Sequence, residues 1–582
     1  LEGKILQKAS KNAKLTYGIG SGFAFSFKNS PLEVQNRVLA RIEKNSELTY
    51  GLGYGLGYLF PYLSGEQRER SFQKADMNPH FAKGLGMGMG RIFAYLDRFH
   101  DEIFDRARVN PHFAKGLGYG LGYVFTYFPP SLREKISAMA EDNPELTYGL
   151  GTGLGFTFSY FQKEDQCLFF EKIKDAYFAR GLGTGLGYAF AYLHQDIQNH
   201  AFAKSHENVQ FAIGLGEGLA RIFSYLDEKI QNEILKKAVA GSGLARGLGR
   251  GFGSVFPYLD ANMLEASSRH AEKDGQFARG LGEGLGTIFP YLSSGAQAGA
   301  FERAKNNAQF NIGLGTGLGY IFPYLTRDVQ TLVSAKARND TSLARGLGTG
   351  LGYIFSYLGN TLQKEFLDRA KQDASFSHGL GSGISYGLAY CPDYLKKEVV
   401  GYSKSDPHFA TGLGTGLGYI FSYLPRPLRQ ELLILTDKHP SFGTGLGTGL
   451  GYNLPSFTEQ LQEEILGWIN KSNDFATGLG TGLGRSFQHL DGITQQEILG
   501  WINKSNDFAT GLGTGLGYNL PSLSEQLQEA VLDLVGKSDG FATGLGTGLV
   551  RSFQYLDASL QRRIALLAQK NRALAYLQSK VS

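Results

Sequence analysis

One unit of about 33 residues, repeated in tandem, fills almost the whole chain, and this restricts the fold more than anything else in the sequence. Units open at Leu15, Leu48, Phe81, Phe113, Leu146, Phe178, Phe211, Leu244, Phe277, Phe310, Leu343, Phe376, Phe409, Phe442, Phe475, Phe508 and Phe541; fourteen of the sixteen intervals are identical in length and the other two are a single residue shorter. A register held over about seventeen copies means that each copy is one structural unit stacked on the next, as in a solenoid. Near the C-terminus the copying is coarser: Tyr452-Asn453-Leu454-Pro455-Ser456 recurs as Tyr518-Asn519-Leu520-Pro521-Ser522, and Arg485-Ser486-Phe487-Gln488 as Arg551-Ser552-Phe553-Gln554, a tandem duplication of a block two units long.

The unit reads as two helices. In the copy from Phe409 to Ser441, Leu428, Leu432 and Leu435 fall at i, i+4 and i+7 of a second helix over 425–438. Asp97, Ser293, Thr458 and Asp557 suit the start of such helices as caps, and Asn110-Pro111, Asn143-Pro144 and Asp406-Pro407 suit their ends. The first half, FATGLGTGLGYIF, alternates glycine with leucine and so also fits a strand, which keeps a strand-plus-helix horseshoe as the alternative. Projected as a helix, Phe409, Ala410, Leu413, Leu417, Ile420 and Phe421 share one arc, with Gly414 and Gly418 on one flank and Gly412 and Gly416 on the other. Small residues at i, i+4 permit close backbone approach, so this order predicts inner helices pressed against their neighbours and ending by Phe421. Thr411, Thr415 and Tyr419 then point away from the core.

The fold class predicted is all-α: a superhelical solenoid of about seventeen two-helix repeats, with a short cap (1–14), twelve variable repeats (15–408), five near-identical Thr-rich repeats (409–573) and a tail (574–582). Eighty glycines against 17 prolines, with 42% hydrophobic residues and no G-X-Y period, mean that glycine serves a packed structure rather than a linker. Two cysteines, Cys167 and Cys391, exclude a disulfide framework or a thiolate-rich metal site and favour a cytoplasmic setting. Leu1-Glu2-Gly3-Lys4 has neither Met nor an apolar leader core and reads as the start of a processed or truncated piece. Apolar runs such as Gly51 to Leu63 are too short for a membrane span, and a soluble protein is expected.

No motif points to catalysis, a cofactor or a metal. GLGTGLG lacks the G-x-G-x-x-G spacing of a dinucleotide turn, and Gly536-Lys537-Ser538 has Val531 where a phosphate loop needs glycine. His200 and His206, like Asp101-Glu102, fall on polar helix faces where solvation explains them. The informative variation lies at the third, seventh and eleventh positions of each unit, the row through which a solenoid would bind. Its cations are Lys83, Arg91, Lys115, Arg180, Arg221, Arg246, Arg250, Arg279, Arg345, Arg485 and Arg551 against only Glu217 and Glu283; this leaves +9 on the row within a total of +5. Its aromatics include Tyr50, Tyr54, Tyr58, Tyr119, Tyr123, Tyr188, Tyr320 and Tyr353, residues equally suited to interaction hot spots, to base stacking, or to filling space between inner helices.

Unit length and the Asn-Pro junction resemble the tetratricopeptide and pentatricopeptide class of helical repeats; the resemblance transfers no functional residue. It implies a right-handed superhelical surface and a non-catalytic scaffold that binds a protein or extended peptide along its inner face. Single-stranded nucleic acid held by the Arg/Lys/Tyr row is the alternative, and self-association through an incompletely capped C-terminal end is a third possibility.

Overall fold

The computed structural model describes residues 13–574 apart from 28–29, 32, 34–44, 142, 162–165, 167–169, 171–174, 241, 389–390, 392, 425, 455–456, 488–489, 491, 554–555 and 572–573. Most of the 1–14 cap, most of the 574–582 tail, Cys167 and Gln488 thus lie outside the described residues. What is described is helical throughout, with no strand, which decides for the solenoid and against the horseshoe. The chain divides into two compact units, Leu1–Phe366 and Leu367–Ser582. Among the described residues no helix is long and apolar enough to cross a membrane.

Where the repeat is fully described it is an inner α-helix, a short 3₁₀ turn and an outer α-helix, as in Pro79–Arg91, Phe93–Tyr95 and His100–Val109. The junction residue does two jobs at once. Asn110 ends one outer helix, accepts the Phe113 N–H at 3.0 Å as N-cap of the next inner helix, and donates to Ala75 O one repeat back at 3.1 Å. Asn143 repeats this with Leu146 and Ala107. Proline at the first helical position adds no unsatisfied donor. Of the residues read as outer-helix caps, Ser293 and Asp557 accept from Ala296 and Leu560 N–H groups; Thr458 caps without a side-chain bond, and Asp97 sits inside a 3₁₀ turn instead. The Phe409 repeat forms its helices at Pro407–Tyr419 and Arg426–Lys438, with a turn at Phe421–Tyr423 between them.

The glycines do what their flanks imply. A Cβ at Gly84 or Gly88 would strike the carbonyl oxygens of Tyr50 and Tyr54 on the preceding inner helix, and one at Gly86 or Gly90 those of Phe113 and Leu117 on the following helix. In the second unit Gly412 faces back to His378 while Gly414 and Gly418 face forward to Phe442 and Gly449. Successive inner helices therefore run parallel and touch backbone to backbone, at a separation where Cα–H groups meet carbonyls. No described glycine has a positive φ, so the need is for space alone. Phe81, Leu85, Phe93 and Phe104 fill the layer between inner and outer helices.

The carbonyls of the 3₁₀ turn are met by a glutamine eight residues after the turn's first residue. Gln198 donates to Phe190 O and Leu193 O at 2.8 and 3.3 Å, and Gln231, Gln495 and Gln561 do the same in their repeats. His100 and Arg133 take over this role in two others.

The first unit winds back onto itself. Tyr258, Tyr291 and Tyr357 donate their hydroxyls to the N-cap oxygens of Asn45, Asn78 and Asn143, at 3.4, 3.2 and 3.2 Å, across separations of 213, 213 and 214 residues. One turn of this superhelix is thus about six and a half repeats. In the second unit the inner helices from Ala374–Gly387 to Asp539–Ser552 pack in succession by the same glycine approach.

Candidate functional site

Winding determines where the variable row of the first unit lies. The third, seventh and eleventh positions point away from their own helix pair, as projected, but in this unit they converge on the superhelix axis, where nearly all are buried or half-buried. Phe25, Tyr58 and Arg345 are exposed. The row is therefore not an open basic track.

Much of its charge is neutralised internally. The carboxylate of Glu283, with 4% of its side chain exposed, lies 2.9 Å from Arg250, 3.0 Å from Arg246 and 3.7 Å from Arg180; Glu217 lies 3.4 Å from Arg250 and 3.9 Å from Arg180. Burial would raise the Glu283 pKa, but Arg246 and Arg180 outweigh it and hold it below the usual carboxylate range. Arg279 lies beside the same carboxylate. Lys115 sits 3.8 Å from Glu145 and 3.5 Å from the centre of the Tyr148 ring.

Beside this network the axis opens into a cavity of about 440 Å³, within the range of small-molecule sites. Three of its cations have no ion pair or hydrogen bond among the described residues. Arg91 lies 3.7 Å from the ring centre of Tyr123 and 5.6 Å from that of Tyr54, and its Nε is buried without a partner. Arg221 is 5.9 Å from the Tyr188 ring and its Nε is also buried without a partner. Lys83 is 5.7 Å from the Tyr50 ring. Burial, with Arg221 and Lys115 nearby, lowers the Lys83 pKa to about 7. Glu47 is the one carboxylate of the wall outside the Arg–Glu network, and burial raises its pKa against the pull of Arg221 and Lys83.

Tyr50, Tyr119, Tyr188, Tyr320 and Phe156 complete the wall with His80 and His112. Burial raises the pKa of each of these tyrosines, so they remain neutral donors. It also lowers His80 to about 3 and pushes His112 well down, which makes both rings weak bases. Tyr353, unlike these, is not part of the cavity wall.

The position just before each unit's opening residue is not singled out by the sequence, yet it supplies Glu47, His80, His112 and Glu145 to the axis. It lies three residues before the third position, so extending the row by one helical step would have found it. The described residues hold no cluster of metal-ligating side chains. Comparisons with models of known families, with characterised proteins and with solved structures find no match for this chain.

Proposed function

We propose that this chain is a non-catalytic binding protein whose first unit takes a small anion, of at least two negative charges, in its axial cavity. The observation that carries this reading is the set of three cations, Lys83, Arg91 and Arg221, directed to a half-enclosed aromatic cavity and in no direct ion pair among the described residues, with Glu47 and Glu217 acting on Lys83 and Arg221 only at longer range. Like charges held together and desolvated oppose folding unless an anion joins them, and burial makes each contact to that anion stronger. Arg91 and Arg221 offer planar donor forks, and the tyrosine hydroxyls supply neutral donors. The weak basicity of His80 and His112 supports binding rather than turnover.

A cavity of about 440 Å³ suits a compact ligand better than the extended peptide or nucleic-acid strand that a row of this composition suggests by itself. The wider role of the array, as a scaffold for a protein partner, attaches to surfaces other than this axis. The test is calorimetric titration with pyrophosphate and with phenyl phosphate at low salt, for the parent chain and for Lys83→Met and Arg221→Met. The parent should bind at least one probe, and each variant should bind it at least about ten-fold more weakly, the loss of one charge-assisted hydrogen bond. No binding by the parent, or equal binding by all three, overturns the reading.

A further inference from the structure

The tyrosine that closes each 3₁₀ turn has two environments in the first unit. In the later repeats it is used: Tyr258, Tyr291 and Tyr357 hydrogen-bond to the Asn N-caps one turn back, Tyr291 also meets the His80 ring at 4.9 Å, and Tyr324 meets His112 at 5.1 Å. In the earlier repeats the same position points into solvent: Tyr95, Tyr127, Tyr160 and Tyr192 are 82–83% exposed. Four large aromatic side chains, spaced one repeat apart along one edge, thus show the donor half of an interface whose acceptor half the same molecule displays elsewhere. Isolated exposed aromatics need no explanation, but a periodic row identical in sequence position to a working contact does.

We propose that this tyrosine edge docks the helix-N-cap edge of a second copy of the chain, head to tail, by the contact that already joins successive turns of the first unit. The C-terminal repeats carry a fitting acceptor edge. Their inner helices are capped by Ser472, Ser505 and Ser538, whose Oγ atoms accept from Phe475, Phe508 and Phe541. Exposed carboxylates flank these caps at Asp474 and Asp539, and Asp474 occupies the repeat position held by His80 and His112 in the first unit. A phenol hydroxyl facing a carboxylate is a charge-assisted pair, stronger than the phenol–amide bonds within the first unit. Because the two edges differ, the contact is heterologous and builds chains of molecules rather than closed pairs. It is independent of the cavity ligand.

The experiment is sedimentation of the full chain over a wide concentration range, for the parent, for a tyrosine-edge variant (Tyr95→Ser, Tyr127→Ser, Tyr160→Ser, Tyr192→Ser) and for a cap-edge variant (Asp474→Lys, Asp539→Lys). All the altered residues are exposed, and circular dichroism checks that each variant is folded. The parent should grow with concentration beyond 63.6 kDa, while each variant alone stays at that mass. An equimolar mixture of the two variants keeps one intact edge of each kind and should give a dimer and nothing larger. A parent that stays monomeric throughout overturns the proposal; so do variants that associate as the parent does, or a mixture that forms no dimer.

Discussion

Alanine for glycine inside an exposed helix normally stabilises a protein by about 1 kcal/mol. At Gly286 the opposite is expected. A Cβ there would lie 2.6 Å from Leu314 O, 2.7 Å from Leu318 N and 2.8 Å from the Cα of Gly317, all backbone atoms of the next inner helix. Ordinary contact begins near 3.4 Å, so the helices must part by close to an ångström. No side chain can rotate away, and the next helix is itself pressed through Gly315 and Gly319 onto the one after it. Overpacking of this kind costs about 1–3 kcal/mol and here is opposed by the propensity gain, leaving a net loss of up to about 2 kcal/mol. Gly299→Ala is the control, since it lies in an outer helix with nothing within 4 Å of the added carbon. Urea unfolding followed by circular dichroism should shift the midpoint down for Gly286→Ala and up for Gly299→Ala. Equal upward shifts would refute backbone-to-backbone stacking as the reason for glycine.

Glu283→Gln leaves Arg180, Arg246 and Arg250 crowded without their central anion and should cost about 3–5 kcal/mol in the same assay. For the same reason, Arg180→Glu or Arg246→Glu adds a carboxylate beside Glu283 and should lower the midpoint as well. Gln198→Leu strands the Phe190 and Leu193 carbonyls and should cost about 1–3 kcal/mol. Lys83→Met, by contrast, removes a desolvated charge whose burial outweighs the longer-range pull of Glu217 and Glu47, and should raise the unfolding midpoint even as it weakens anion binding. His80, held by burial near 3 against an ordinary 6.5, binds its proton more readily once unfolded, so it contributes a fall in stability as pH drops from 6.5 toward 3, visible as a falling midpoint.

The repeat, the helix pair and the two glycine flanks were legible because they obey local rules: a fixed period and a 100° step per residue place Gly412 and Gly416 opposite Gly414 and Gly418 whatever the rest of the chain does. The direction of the row was local too, but its surroundings were not. Whether Arg180 faces solvent or Glu283, three repeats further on, depends on how tightly the repeats wind, and the bonds that record the winding join residues 213 apart. No pattern within a single repeat encodes that distance. Part of what was missed did leave a signal. Gln198, Gln231 and Gln561 recur at one repeat position, and carbonyls left unpaired at the end of a 3₁₀ turn demand such a donor. The different fates of Tyr95 and Tyr291 left none, since both close the same turn.

In the proposed function Lys83 receives its counter-charge from an anion bound in the axial cavity. Its side-chain titration, followed by NMR of isotopically labelled lysine with and without pyrophosphate, tests this most directly. Burial, Arg221 and Lys115 push the pKa down, while Glu217 and Glu47 oppose them, so the empty site should titrate at about 7. A bound anion favours the charged form and should move that midpoint up toward the ordinary 10.5, with affinity falling as pH rises above 7. A Lys83 that titrates identically in both conditions, or near 10.5 in the empty protein, would contradict the account.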